Sequence, residues 1–151
     1  MERLPIADAE TVQFTKTVRN IKLFANINLG VLEKILARIN YYKFSKGEKV
    51  CRQGDPGDAF YVINEGRLRI SVRSAFLFSK TLATLGPGNC VGEMALLTRE
   101  PRSATVTCEE DSKLFVLRVD DFDNVLAGNP TFAAEIKKIA ADRAFELRHG
   151  R

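Results

Sequence analysis

The sequence predicts a mainly β protein with helices at both ends. From Tyr41 onward, apolar residues recur at every second position in short segments divided by Gly, Pro and Asp. On either side of that region they recur at helical spacing. A chain of 151 residues is long enough for one core and too short for two of ordinary size. With 45% hydrophobic and 28% charged residues, the composition excludes a disordered or collagen-like polymer.

The first twenty residues are mixed and polar, with Val12, Phe14 and Val18 as spaced apolar positions that suit a short helix. They are set apart as an N-terminal extension, residues 1–20, from a domain over 21–151. Asn28 is placed to cap a clearer helix, in which Leu32, Ile35, Leu36 and Ile39 follow the i, i+3, i+4, i+7 pattern of one face. The strand segments are then YYKFS, KVCRQ, AFYVIN, RLRISV, KTLATL, ATVTC and KLFVLRV. In the fourth, Leu68, Ile70 and Val72 alternate with Arg67, Arg69, Ser71 and Arg73, which predicts a solvated arginine face on one side of a sheet. Glu65-Gly66 fits a hairpin turn, and Gly47, Gly54, Gly57 and Gly66 stand at the breaks. Strands this short with turns this frequent predict a small roll or barrel. A short helix over Asp120 to Ala127 follows, and Asn129-Pro130 opens a terminal helix running to about Arg148.

The net charge of +4 favours an anionic partner, but Lys and Arg are scattered without a run, which argues against a nucleic acid. Cys51, Cys90 and Cys108 form no CxxC pair, so neither a disulfide framework nor a zinc site is expected. No apolar stretch reaches the roughly 18 residues of a membrane span and no signal peptide opens the chain, which predicts a cytoplasmic protein. His149 is the only histidine, Glu109-Glu110-Asp111 reads as a solvated turn, and Cys90 as a strand cysteine. With no convergence of nucleophile, base and orienting group, no catalytic or metal-binding residue is assigned and no enzyme is expected.

The stretch that carries chemistry is GEMALLTREPRSATV, residues 92 to 106. Gly92 followed by Glu93, Met94 and Ala95 predicts a tight turn into a short helix, whose first N–H groups lack intrahelical acceptors and attract an anion. Arg102 offers a two-pronged contact to a phosphate, and Ser103 adds a hydroxyl and an N–H. Glu93 would repel that phosphate unless it faced a different group, such as a ribose hydroxyl. A nucleotide with one charged phosphate satisfies all of these. Spacing alone also allows a plain connection in which Arg102 is only the ion-pair partner of Glu93. Neither a Walker A loop nor a GxGxxG fingerprint is present.

Gly92, Glu93, Ala95 and Leu96, followed by Pro101, Arg102, Ser103, Ala104, Thr105 and Val106, resemble the phosphate-binding cassette of the cyclic nucleotide-binding domain family. The similarity extends to GDPGDAFYVINEGRLRI at 54 to 70, LGPG at 85 to 88 and Leu23-Phe24. The resemblance implies an eight-stranded, jelly-roll-like β-roll with N-terminal helices and a C-terminal lid helix. It also implies Glu93 on the ribose 2′-hydroxyl, Arg102 on the cyclic phosphate, and N–H groups near Ala95 and Ser103 completing a cradle that includes Gly92, Met94 and Ala104. Val91 departs from a Phe common in the family. Ser103, where cGMP-preferring members often carry Thr, implies a modest preference for cAMP over cGMP. Arg143 falls within the apolar stripe of the terminal helix, where related channel domains stack an arginine on the purine; the alternative is that it snorkels outward and buries only its methylenes. Phe76, Leu77 and Phe78 lie in a hairpin that is usually polar; they are expected to mark an interface with a protein partner or a second copy, the alternative being that one or two of them fold back over the adjacent helix. A transcription factor would need about 60 to 70 further residues for a helix-turn-helix after Arg148. A single-domain receptor is therefore expected, the alternative being the ligand-binding domain of a cyclic nucleotide-gated potassium channel.

Overall fold

A computed structural model describes residues 1–73 and 78–149, with side chains described as far as residue 142. Among these residues, two antiparallel sheets are built from nine strands. The first has the order β1 (Glu2–Leu4), β2 (Asn40–Phe44), β9 (Ser112–Arg118), β4 (Ala59–Glu65) and β7 (Cys90–Val91). The second runs β3 (Lys49–Cys51), β8 (Thr105–Cys108), β5 (Leu68–Arg73) and β6 (Ser79–Leu85). The expected roll has eight strands; the additional one is β1, which adds to the edge of β2 through Arg3 opposite Tyr42.

Alternation along the strands decides what each face of the first sheet covers. On β4, Phe60 and Val62 pack with the helices, and so do Phe115 and Leu117 on β9. Ile63 and Leu114 point the other way and close a second cluster with Phe44, Leu68, Val106 and Cys108 between the sheets. Both faces of β9 are thus buried, which explains its unbroken apolar run, LFVL.

The helices pack over the outer face of the first sheet. Helix α1 (Asp8–Val18) buries Phe14 edge-on against Phe115, with ring centroids 5.1 Å apart, and Val18 joins the same core. Helix α2 (Leu29–Leu36) starts on Asn28, whose side chain accepts from the Val31 N–H at 2.9 Å as an N-cap should. Helix α3 (Glu93–Thr98) buries Ala95 and Leu96 in this core. Helix α4 (Val119–Ala127) is followed by α5 (Pro130–His149). Phe122 links them, lying edge-on to Phe132 of α5 and to Phe24.

Two expectations need correction. Glu65-Gly66 is not a hairpin turn, because β4 and β5 belong to different sheets and the chain crosses between them there. Glycine is required for more than its φ of 107°: a Cβ on Gly66 would lie 2.0 Å from Ser112 Oγ. The arginine face is not simply solvated either. Ser71 is only 9% exposed and Arg69 is half-buried, because Thr105 and Thr107 of β8 and the long side chains beside them wall this face into a groove. Glu109 takes part in the same surface, pairing with Arg67 at 3.1 Å and Arg69 at 3.7 Å. Of the three apolar hairpin residues, Phe76 and Leu77 lie outside the described residues, and Phe78 is exposed.

Candidate functional site

The site is built where the 92–106 segment folds back on the loop between β3 and β4. Gly92 has a φ of 84°, which turns the chain from β7 into α3, and its carbonyl accepts from the Ala95 N–H at 2.9 Å. Helix α3 is short and ends on Arg99, which also adopts the left-handed conformation and pairs with Asp123 of α4. The chain then returns through Pro101 to Arg102, whose backbone is held on both sides by the preceding loop. Its N–H donates to Asp55 O and its carbonyl accepts from the Gly54 N–H, each at 2.8 Å.

The Arg102 side chain is buried against the start of β4. Its Nη2 donates to the Ala59 carbonyl at 2.5 Å and lies 3.8 Å from Asp58 Oδ1, and the guanidinium sits 5.6 Å from the centre of the Tyr61 ring. Nε, equally buried, has no hydrogen-bond partner among the described residues. A guanidinium in this position requires Gly92, because a Cβ there would come 2.3 Å from Nη1 and 2.9 Å from the Ala59 carbonyl. Gly57 is required in the same way, since a Cβ on it would meet the Glu100 carbonyl at 2.4 Å. These two glycines let the β3–β4 loop, the α3 turn and Arg102 close on one another.

A cleft of about 380 Å³ opens beside this cluster. Gly92, Met94, Ala95, Arg102, Ser103 and Ala104 help to wall it, and the inner faces of β3, β5 and β8 contribute Cys51, Ile70 and Val106. Ser103 is exposed, so its hydroxyl is open to solvent. Glu93 is half-buried at the first position of α3 and is not among the residues that wall the cleft. Arg143 lies within α5, and its side chain is outside the described residues.

Burial and charge set the chemistry of the neighbouring groups. Burial pushes the Cys90 thiol up to about 11, and the Glu93 carboxylate beside it acts in the same direction, so Cys90 stays protonated and unreactive at neutral pH. Burial also raises the Cys51 thiol and the Tyr61 hydroxyl, each partly offset by the positive charge of Arg102. No group of three or more His, Cys, Asp or Glu among the described residues is arranged to hold a metal. No helix among them is long and apolar enough to cross a membrane.

The sequence marked Gly57 only as a turn glycine, whereas its φ is not positive and its role is close approach to the Glu100 carbonyl. It assigned no role to Asp58, the Ala59 carbonyl and Tyr61, which brace the cassette beside it. The signal available was the Gly54-Asp-Pro-Gly57 break between two strands, where a second glycine so close to a proline suggests close backbone approach as well as a turn.

The comparisons bear on the same region. The family model described as "Cyclic nucleotide-binding domain" matches residues 42–129, a span containing the β3–β4 loop, α3 and Arg102. A cyclic nucleotide-gated potassium channel of Mesorhizobium japonicum is 32% identical over 126 residues, covering 83% of this chain and 34% of the channel. The cAMP-dependent protein kinase type II regulatory subunit of Drosophila melanogaster is 30% identical, over 81% of this chain and 31% of the subunit. The chain thus spans about a third of the length of these curated relatives. Among solved structures, the N-terminal domain of a transcriptional regulator from Streptomyces coelicolor A3(2) superposes with a TM-score of 0.76 and 28% identity, covering 88% of this chain and 92% of that one. The family match covers more than half of the chain and contains the glycine turn, the short helix and the buried arginine described above: the chain belongs to the cyclic nucleotide-binding domain family.

Proposed function

We propose that this chain is a non-catalytic receptor domain for a cyclic mononucleotide, favouring cAMP over cGMP, and that its flanking helices transmit occupancy of the cleft. The observation that carries the reading is Arg102: a guanidinium buried on the cleft wall whose Nε has no acceptor. Leaving a buried charged donor unpaired costs about 1 to 3 kcal/mol or more, and a phosphate oxygen arriving in the cleft relieves that cost. Ser103 borders the same space, so its N–H and hydroxyl meet the phosphate together with the arginine, while the Ala95 N–H, donating to the Gly92 carbonyl, holds the turn in place. A volume of about 380 Å³ is in the range of a small-molecule site and too small for a macromolecular ligand.

The ligand's remaining contacts follow from its chemistry. Glu93 takes the ribose 2′-hydroxyl, which requires its carboxylate to stand close to the phosphate site without facing it. The base lies toward α5, where Arg143 supplies a planar cation to stack on the purine. A ligand that bridges the cassette and α5 favours the arrangement in which both are engaged, and that differential affinity is what moves the helix. The similarity to a cyclic nucleotide-gated channel favours a second reading, in which the same domain acts within a larger protein and its helices control a membrane pore.

Ligand choice is tested by calorimetric titration of nucleotide-stripped protein with cAMP, cGMP and 5′-AMP, repeated with Ser103→Thr. The expected order is cAMP, then cGMP within about tenfold, then 5′-AMP, whose extra charge and open phosphate fit the cradle poorly. Ser103→Thr is expected to shift the ratio toward cGMP. Tighter binding of cGMP by the unmodified protein overturns the preference, and equal binding of 5′-AMP overturns the cyclic phosphate as the recognised feature.

A further inference from the structure

The arginine row on β5 takes no part in the cleft, yet it lines a built groove on the opposite face of the same sheet. Where β8 and β5 turn Val106 and Ile70 toward the cleft, their alternate residues Thr105, Thr107, Arg69 and Ser71 face outward. On β3 an irregularity between Lys49 and Cys51 sends Cys51 to the cleft and leaves Lys49, opposite Thr107, on the outer face. With Arg73 they wall a second cavity of about 390 Å³. Its floor is polar and buried: Ser71 is 9% and Thr107 6% exposed. Its flanks are cationic, and no carboxylate is among its wall residues within the described part of the chain. The nearest acid named by the ion pairs is Glu109, 3.7 Å from Arg69, and Glu109 keeps Arg67 as a partner at 3.1 Å if Arg69 turns away. Thr105 Oγ1 accepts from the Gln53 N–H and so retains its own proton to donate.

We infer that this groove is a second anion site, selective for a soluble ligand carrying more than one phosphoryl group. Hydroxyl donors on the floor and cations on the rim are the chemistry that holds phosphoryl oxygens. Lys49 and Arg69 stand two strands apart, about 10 Å between backbones, and Arg69 and Arg73 four residues apart on one strand, about 13 Å. Side chains of this length let two of the cations meet at one phosphate, but the cavity of about 390 Å³ has room for more than one phosphate, and two linked phosphoryl groups engage all three cations together. The site is independent of the cyclic nucleotide reading, because Arg102 and α3 lie on the other side of the sheet.

The test is an amide-resolved NMR titration of the full chain with pyrophosphate at constant ionic strength. Saturable shifts are expected at residues 49, 69 to 73 and 105 to 107. They should persist in Arg102→Ala, and binding should weaken about tenfold in Arg69→Gln/Arg73→Gln, since each exchange removes a charge-assisted contact. Lys49→Gln, on another strand, is expected to weaken binding as well. Shifts that grow linearly and match those produced by added KCl overturn the site. So do shifts confined to residues 92 to 104 and lost in Arg102→Ala. Phosphatidylcholine vesicles containing phosphatidic acid are not expected to sediment the protein; co-sedimentation that is lost in the Arg69/Arg73 variant would assign the groove to a membrane surface and overturn the soluble ligand.

Discussion

At the scale of single residues, the site depends on what its glycines allow. The absence of a side chain at Gly92 serves two purposes, permitting a φ of 84° and leaving room for the Arg102 guanidinium above its α-carbon. Gly92→Ala is therefore expected to cost about 1 to 3 kcal/mol of stability, through the left-handed backbone and the approach to the Ala59 carbonyl. It should also weaken cyclic nucleotide binding by displacing Arg102. Urea unfolding and calorimetry on the same variant separate the two effects, and an unchanged affinity in a destabilised protein would mean that Arg102 does not depend on this seat. Gly92 and Arg102 were legible as a pair through the resemblance of residues 92 to 106 to a phosphate-binding cassette, since their spacing alone also allowed a plain connection. It did not reveal Ala59, whose contribution is a backbone carbonyl and leaves no mark in residue identity.

At the scale of elements, legibility followed length and periodicity. Helix α2 was readable from its cap and spacing, and the strand segments from their alternation. The strands missed were β1 and β7, of three and two residues, which are too short to carry a period and exist because β2 and β4 offer them an edge. The crossing at Gly66 was misread for a related reason: a turn's residues report its backbone angles, whereas the partner of the next strand is decided by distant packing. The proposed transmission also belongs to this scale. Helix α5 is tied to the core by Phe132 against Phe122 and by buried Ile136, near its N-terminal end. Saturating cAMP is expected to slow hydrogen exchange across residues 130 to 148, and Arg143→Ala to lower affinity by about 0.5 to 2 kcal/mol and blunt that protection. Exchange in the wild-type helix that is the same with and without cAMP would exclude α5 as the moving part.

At the scale of the whole molecule, one sheet separates two surfaces of different character. Its inner face meets the first sheet around Leu68 and Leu114 and opens into the cleft beside Arg102, and its outer face carries the cationic groove. The general plan of strands between helices was readable because hydrophobic period changes at Tyr41 and again after Arg118, and those changes are local. The roll was expected from the short strands and the resemblance, but which strands pair was not readable, since β4 pairs with β9 across about fifty residues of sequence. The central claim is that a cyclic nucleotide phosphate is held by Arg102, and calorimetric titration of Arg102→Ala with cAMP tests it most directly, with circular dichroism and a thermal melt establishing that the variant is folded. The expected result is a loss of about 2 to 4 kcal/mol in binding free energy relative to wild type, the worth of a charge-assisted contact in a partly desolvated pocket. A folded Arg102→Ala protein that binds cAMP as tightly as the wild type would contradict the account.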